Sequence, residues 1–161
     1  MSTNSPKKSC ITATIATATT VAGLLVACGG DGAAGETASA AQACAGITSQ
    51  ATAGAVGLTA MVVAGTAETP TYCKVNGTIP PALNFELRLP DHWNGKLYYQ
   101  GGGGFDGSIP TIEGLASTAL GKGYVVAASD SGHQGSIVDA SFALDPYARE
   151  LWGSQSVPTV M

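Results

Sequence analysis

Charged residues are scarce in this sequence. Lysine, arginine, aspartate and glutamate make up 11% of the 161 residues, whereas about a quarter is usual in globular proteins. Eleven acidic residues against seven basic ones give a formal net charge of −4, which excludes the basic surface of a nucleic-acid-binding protein. The 22 glycines follow no three-residue period, which excludes collagen. The composition therefore favours one globular domain with a small-molecule partner.

The first 27 residues have the pattern of an export signal. Lys7 and Lys8 form a short positive segment, and residues 11–27 carry no charge. This run is too short and too rich in threonine for a membrane-spanning helix, which needs about 20 predominantly apolar residues. Residues 1–27 are therefore predicted to be a secretory signal peptide.

The end of this run resembles the lipobox of bacterial lipoproteins. It reads Leu25-Val26-Ala27-Cys28, and in a lipobox cleavage before the cysteine leaves it as the lipid-modified first residue. The alternative is an ordinary signal cleaved elsewhere, with Cys28 as a buried thiol. No aspartate follows Cys28 directly, so by resemblance to sorted lipoproteins we expect an exported bacterial protein with a lipid anchor in the outer membrane, on its periplasmic face or at the cell surface.

Residues 28–42 are predicted to be a flexible tether. They are mainly glycine, alanine, serine and threonine, and such a segment does not bury enough apolar surface to order itself. The folded domain is accordingly expected at residues 43–161.

Cys44 and Cys73 are predicted to form a disulfide. They remain as an even pair because Cys10 lies in the predicted signal peptide and Cys28 is assigned to lipid, and an exported protein is in an oxidising compartment. Closing the 28-residue loop between them would stabilise the fold by roughly 3 kcal/mol in the chain-entropy model. The alternative is two buried thiols.

Hydrophobic alternation predicts two strands joined by a tight turn. Residues 84–89 place three apolar side chains on one face and Glu86 and Arg88 on the other, as in a half-buried strand. Asn94-Gly95 is typical of a hairpin turn, and residues 96–100 form the next predicted strand.

The following residues predict a βαβ unit. After Pro110, apolar residues recur at the helical spacing, and Gly121 occupies the expected C-terminus; the residues of this face are Ile112, Leu115, Ala116, Ala119 and Leu120. Residues 124–128 are a continuous apolar run, typical of a strand covered on both faces. Strand, glycine-rich loop, helix and strand imply parallel pairing, so the fold class is α/β. Asp145-Pro146 predicts the start of another helix, which extends to about residue 152.

The glycine run 101–104 carries the main chemical signal. Without Cβ atoms, its N–H groups can approach a negatively charged ligand. One candidate ligand is a dinucleotide phosphate, because Gly102, Gly104 and Gly107 satisfy G-x-G-x-x-G and Asp130 follows the next strand. Pro110 opposes this interpretation, since the helix of that fold begins within the glycine run and would include the proline at a cost of about 3 kcal/mol.

The other candidate ligand is an oxyanion. In α/β-hydrolases, the loop after the third strand supplies half of the oxyanion hole through an HGGG-type motif. Gly103 or Gly104 would be the donor here. The alternative is that the glycines only let the chain turn sharply beneath a helix.

Several strings of this chain resemble the N-terminal part of the tannase and feruloyl esterase family. They are YCKVNG at 72–77, FELRLP at 85–90, WNGKL at 93–97, GGGGFDG at 101–107 and GYVVAASDSGH at 123–133, and the resemblance extends over residues 43–152. It implies a secreted serine esterase of α/β-hydrolase fold that acts on small esters of aromatic acids such as gallate or ferulate. It implies no cofactor in this chain, and calcium only in a lid domain outside the resemblance. The disulfide-rich character of the family agrees with the Cys44–Cys73 pair.

The chain departs from the family pattern in its catalytic residues. The family's nucleophile string, Gly-Cys-Ser-x-Gly-Gly, does not occur in the sequence, and Ser129, Asp130, Ser131 and His133 are too close in the chain to form a triad. We therefore expect residues 43–161 to be the N-terminal portion of an α/β-hydrolase domain with an incomplete sheet, truncated before the nucleophile and inactive alone. A noncatalytic, lipid-anchored binding module on a hydrolase half-fold is the alternative.

Overall fold

The computed structural model describes residues 38–49 and 54–161. The predicted signal peptide, Cys28 and most of the predicted tether lie outside these residues. The described strands are β1 (Val56–Val63), β2 (Tyr72–Ile79), β3 (Leu83–Pro90), β4 (Leu97–Gln100) and β5 (Val125–Ser129). The described α-helices are α1 (Ala40–Ser49), α2 (Leu115–Gly121), α3 (Pro146–Glu150) and α4 (Ser156–Val160).

The strands form one mixed sheet in the order β1-β2-β3-β5-β4. β1, β2 and β3 pair antiparallel in sequence order, and β5 lies antiparallel to β3. β4 lies parallel to β5, which confirms the predicted βαβ unit. β3, β4 and β5 agree within one residue with the predicted strands, whereas the sequence patterns do not predict β1 and β2.

The predicted hairpin at Asn94-Gly95 is wrong, because β5 lies between β3 and β4. The dipeptide still makes a turn, with Gly95 at a φ of +82°. The Asn94 side chain accepts a hydrogen bond from the Lys96 N–H at 3.0 Å and donates one to the Lys122 carbonyl at 2.7 Å. The turn therefore holds the start of β4 against the end of α2. β5 pairs on both sides, with β3 and with β4, so the edge strands of the described sheet are β1 and β4.

Each face of the sheet has its own apolar core, because successive residues of a strand point to opposite faces. The core under α1 consists of Ala40, Cys44, Cys73 and Val75. The core on the α2 face consists of Tyr72, Ile112, Ala116, Ala119, Leu120 and Val126. Tyr72 and Cys73 are adjacent in β2 and belong to opposite cores, so the described fold has helices on both sides of one sheet.

Helix α2 begins later than predicted. Gly114, at a φ of +56°, precedes its first residue, and Ile112 is buried from the loop before the helix. Leu115 is 74% exposed, so its predicted place on the apolar face is wrong. Gly121 is the last helical residue, and Gly123, at a φ of +81°, makes the turn towards β5.

The structure confirms the helix start at Asp145-Pro146. The Asp145 carboxylate accepts a hydrogen bond from the Tyr147 N–H at 2.9 Å, and Pro146 is the first helical residue. The helical path continues beyond residue 152, because a π-helical turn, Leu151–Gln155, joins α3 to α4.

A disulfide joins Cys44 of α1 to Cys73 of β2, with the Cα atoms 5.4 Å apart, as predicted. The Ala40 N–H donates to the Asp91 carboxylate at 2.8 Å, which fixes the start of α1 beside the end of β3. Residues 40–42 of the predicted tether are therefore helical. None of the helices in the described ranges has the length and apolar character needed to cross a membrane.

Breaking this disulfide is expected to lower the free energy of unfolding. The double variant Cys44→Ala/Cys73→Ala should lose roughly 3 kcal/mol, measured by urea denaturation of the oxidised full chain. Dithiothreitol should destabilise the unsubstituted chain by a similar amount and leave the double variant unchanged. Equal stability of the unsubstituted chain with and without reductant would contradict a stabilising cross-link.

Candidate functional site

The loops that follow β4 and β5 meet at one end of the sheet. Because these strands are parallel, their carboxyl ends lie side by side, with Gln100 opposite Ala128. The glycine loop, residues 101–107, follows β4, and Asp130 directly follows β5. In open α/β sheets, ligands bind beyond the carboxyl ends of the strands.

The glycine loop is held against residues 135–137. The Phe105 N–H donates to the Ile137 carbonyl at 2.8 Å, and the Gly135 N–H donates to the Gly107 carbonyl at 3.0 Å. Gly104 has a φ of +60°, and a side chain there would overlap the Ile137 carbonyl oxygen. Glycine is therefore required at position 104.

The N–H groups of Gly103 and Gly104 are available to a ligand. Neither donates to an acceptor in residues 38–49 or 54–161, and both residues are exposed. A Cβ on Gly103 would meet no atom within 4 Å. Adjacent donors without side chains around them suit an anion or a developing oxyanion. In the described residues, the structure thus leaves both N–H groups that the sequence singles out without an acceptor, while their role stays a prediction.

The loop differs from a dinucleotide-binding turn. In that fold, the helix begins within the glycine run and its N-terminus holds the phosphates. Here α2 begins at Leu115, eleven residues after Gly104. Asp130, the candidate ribose ligand, is fully buried, so neither element of the fingerprint has the required place.

The Asp130 carboxylate joins the start of β3 to the loop after β5. It accepts hydrogen bonds from the Asn84 N–H at 3.0 Å, from Asn84 Nδ2 at 2.6 Å and from the Gly132 N–H at 2.9 Å. Gln134 Nε2 donates a further bond to it. Buried carboxylates need such donors, and these contacts give Asp130 a structural role.

The two serines beside Asp130 have partners in β4 and in the glycine loop. Ser129 Oγ lies 2.6 Å from the Tyr99 hydroxyl, and Ser131 Oγ donates to the Asp106 carboxylate at 2.7 Å. Burial raises the pKa of Tyr99, the bond to Ser129 offsets this only in part, and the charges of Asp106 and Asp130 raise the pKa further. Tyr99 is therefore a neutral hydrogen-bonding group at neutral pH.

His133 and three aromatic side chains pack the glycine loop against the C-terminal helices. His133 Nε2 lies 2.8 Å from the Phe105 carbonyl oxygen, and it carries the proton because a carbonyl only accepts. The His133 ring stacks on Phe142 at a centroid distance of 3.7 Å. Phe105 and Phe142 both contact Trp152, with centroids 5.9 and 5.8 Å apart.

Ser129, Asp130, Ser131 and His133 are not arranged as a catalytic triad. A triad needs a nucleophile within hydrogen-bond reach of its base. In the described part of the chain no serine hydroxyl is hydrogen-bonded to a histidine. Within the same residues, no group of three or more histidine, cysteine, aspartate or glutamate side chains is placed to hold a metal ion.

Sequence reasoning missed Tyr99, Asp106 and Phe142 at this edge. A local signal exists for Asp106, which lies between glycines in a turn, because aspartate tolerates a positive φ better than most residues. Tyr99 and Phe142 have no such signal, because no local pattern pairs them with Ser129 and His133, which lie 30 and 9 positions away.

A cavity of about 230 Å³ lies away from the glycine loop. It lies between the end of β2 and the C-terminal helices, and Ile79, Leu83 and Leu151 form part of its wall. Its lining includes no residue of the glycine loop, so the assignment of the site depends on the donors and not on this cavity.

Replacing Asp130 by alanine is expected to destabilise the fold. The change removes the acceptor of four donors, and we expect a loss of at least about 3 kcal/mol, measured by urea denaturation. The matched control is Asp139→Ala at an exposed aspartate, whose pKa is lowered by hydrogen bonds from Ser141; it should leave the free energy of unfolding close to that of the unsubstituted chain. Equal effects of the two substitutions would contradict the structural role.

Sequence comparison places these features in a known family. The family model described as tannase and feruloyl esterase matches residues 62–161. An uncharacterized esterase of Agrobacterium fabrum is 41% identical over 104 residues, and the mono(2-hydroxyethyl) terephthalate hydrolase of Piscinibacter sakaiensis is 31% identical over 115 residues. These matches cover 56% and 58% of this chain and 19% of each relative. The chain thus spans about a fifth of the length of these relatives.

Two solved structures share the fold. They are an esterase and feruloyl esterase B, both from Aspergillus oryzae, with TM-scores of 0.56 and 0.58 and 19% sequence identity in each case. The matches cover 72% and 75% of this chain and 27% of each structure. They confirm the predicted fold class, the N-terminal portion of an α/β-hydrolase fold. Because the family model covers more than half of the sequence, the chain belongs to the tannase and feruloyl esterase family.

Proposed function

We propose that this chain supplies oxyanion-stabilising donors to a carboxylic ester hydrolase that acts on esters of aromatic acids. One observation carries the proposal: the N–H groups of Gly103 and Gly104 have no acceptor within the described residues and lie beyond the carboxyl end of β4. Membership of an esterase family supports ester hydrolysis as the reaction.

The chemistry requires donors at this place. Attack on an ester carbonyl opens its π bond and leaves a negative charge on the oxygen. N–H groups that point at this oxygen stabilise the transition state more than the ground state. The Phe105 and Asp106 N–H groups hold the loop by donating to the Ile137 and Gly103 carbonyls, so the donors need little reorganisation. One such donor contributes about 3 kcal/mol.

The proposed role is confined to these donors. Ser129 and Ser131 have hydrogen-bond partners other than a histidine, so we assign the nucleophile to neither. We accordingly expect the 161-residue chain alone not to hydrolyse methyl ferulate.

The names of two relatives support aromatic-acid esters as the substrate class. One relative is a mono(2-hydroxyethyl) terephthalate hydrolase, and one structural neighbour is a feruloyl esterase. Terephthalate and ferulate are both aromatic acids, and in both esters the scissile bond joins the acid to an alcohol.

We also propose that the protein is exported and carries lipid at Cys28 in the outer membrane. The lipobox-like string that ends at Cys28 supports this placement. The Cys44–Cys73 disulfide also supports export, since such bonds form and persist in oxidising compartments.

A hybrid enzyme tests the oxyanion role. Residues 38–161, which include β1 and both cysteines of the disulfide, would replace the corresponding N-terminal segment of the Piscinibacter hydrolase, with hydrolysis of mono(2-hydroxyethyl) terephthalate as the assay. Gly103→Pro removes one N–H and should lower kcat by about 10²- to 10³-fold. Gly103→Ala keeps the N–H, and its Cβ meets no atom within 4 Å, so it should keep kcat within a few-fold of the unsubstituted hybrid.

Two outcomes would overturn the proposal. One is a Gly103→Pro hybrid as active as the Gly103→Ala hybrid. The other is an unsubstituted hybrid that folds, as judged by circular dichroism, but does not hydrolyse the ester. Turnover of methyl ferulate by the 161-residue chain alone would instead place a complete catalytic centre within it.

Lipid attachment has its own test. Cys28→Ala should abolish the incorporation of labelled palmitate in a bacterial host and release the protein from the membrane fraction. Cys10→Ala, which changes a cysteine within the predicted signal peptide, should leave both unchanged. Continued labelling of the Cys28→Ala protein would show that Cys28 is not the lipidated residue.

A further inference from the structure

Two residues at the candidate site have an unusual backbone conformation. Asp106 and Ser131 have φ values of +64° and +62°, and in the described part of the chain they are the two non-glycine residues with positive φ. Both are buried. Such conformations persist only where the surroundings determine them, and they are frequent at functional sites.

The side chains of these two residues are bonded to each other. Ser131 Oγ donates to Asp106 Oδ2 at 2.7 Å, across 25 residues of sequence. The bond joins the glycine loop after β4 to the loop after β5. Ser131 is fixed in turn, because its N–H donates to Ser129 Oγ at 3.3 Å and Ser129 Oγ contacts the Tyr99 hydroxyl.

The Asp106 carboxylate fills space inside the glycine loop. A side chain at Gly102 would overlap this carboxylate, so the loop closes around it only because residue 102 is glycine. The Asp106 N–H donates to the Gly103 carbonyl at 3.0 Å. Asp106 thus contacts the loop on both sides of the Gly102–Gly103 peptide, whose N–H is one of the two proposed donors.

We propose that Asp106 is a positioning residue that fixes the N–H groups of Gly103 and Gly104 through its bond to Ser131. This inference rests on the proposed function, because Asp106 acts on the reaction only through those donors. Its buried carboxylate accepts from the Ser131 hydroxyl, so we assign it no direct contact with the substrate. An amide at position 106 keeps an acceptor oxygen, and asparagine tolerates positive φ at least as well as aspartate. Asp106→Asn is therefore a conservative variant that removes the charge and keeps the hydrogen bond from Ser131.

Hydrogen exchange on the full chain tests, without any catalytic assay, whether the Asp106–Ser131 hydrogen bond holds the glycine loop in place. In Asp106→Ala and in Ser131→Ala, the Phe105 and residue-106 amides should exchange at least about ten-fold faster. Amides of the β2–β3 ladder should be unchanged, which excludes general unfolding. Asp106→Asn should stay within about three-fold of the unsubstituted chain, and Asp139→Ala is the matched control at an exposed aspartate. Unchanged exchange at positions 105 and 106 in Asp106→Ala would overturn the inference.

Kinetics in the hybrid enzyme test the positioning of the donors. Asp106→Ala should lower kcat by about 10²-fold through their misplacement, with KM changed by less than about three-fold, and Asp106→Asn should restore kcat. An unchanged kcat in Asp106→Ala, together with the expected fall in kcat in Gly103→Pro, would overturn the inference and leave the proposed function intact. A harmless Gly103→Pro would instead remove the proposed function and with it the catalytic role of Asp106, whatever the exchange rates show.

Discussion

Strand β5 holds the two parts of the sheet together. The antiparallel strands β1, β2 and β3 lie on one side of it and β4 lies on the other, so every ladder bond between these parts involves β5. Val126, Ala127 and Ala128 have no exposed surface. Because two of these side chains are single methyl groups, other elements approach the centre of the sheet closely on each face. A larger residue there would separate layers that are packed in contact.

The sequence predicts the elements around β5 but not the central position of β5 in the sheet. A continuous apolar run and a helical periodicity are local signals, so β5, α2 and the parallel β4–β5 pairing follow from the pattern. The order of the strands in the sheet does not follow from these local signals. Asn94-Gly95 forms a turn as its residues indicate, but no local signal shows that β5 separates the strands on its two sides. Leu115 shows the same limit, since its spacing matches the buried face while the helix begins at Leu115 itself, after Gly114.

The sequence predicts the glycines of the candidate site but not the residues that hold the glycine loop in place. A glycine run after a strand indicates exposed N–H donors, because the absence of Cβ is visible in the sequence. The residues that hold the run belong to other segments: Ile137, Ser131 and His133 contact it from the loops after β5. Each of these contacts joins residues about 25 or more positions apart, and pattern reasoning on a single sequence does not detect pairs at that separation. For the same reason, Asp130 resembles a ribose ligand in sequence and serves as a buried acceptor in the fold.

The start of α1 determines from which side the chain enters the fold. The Ala40 N–H is bonded to Asp91, just beyond the end of β3, and β3 runs opposite to β4 and β5. The glycine loop follows the carboxyl end of β4, which lies at the opposite end of the sheet. A group coupled to residue 38, which is exposed at the start of the described residues, therefore lies at the end of the sheet remote from Gly103 and Gly104. A fluorophore or a solid support at that residue is on the side away from the glycine loop, which makes it a suitable point of immobilisation for measuring ligand binding at the loop.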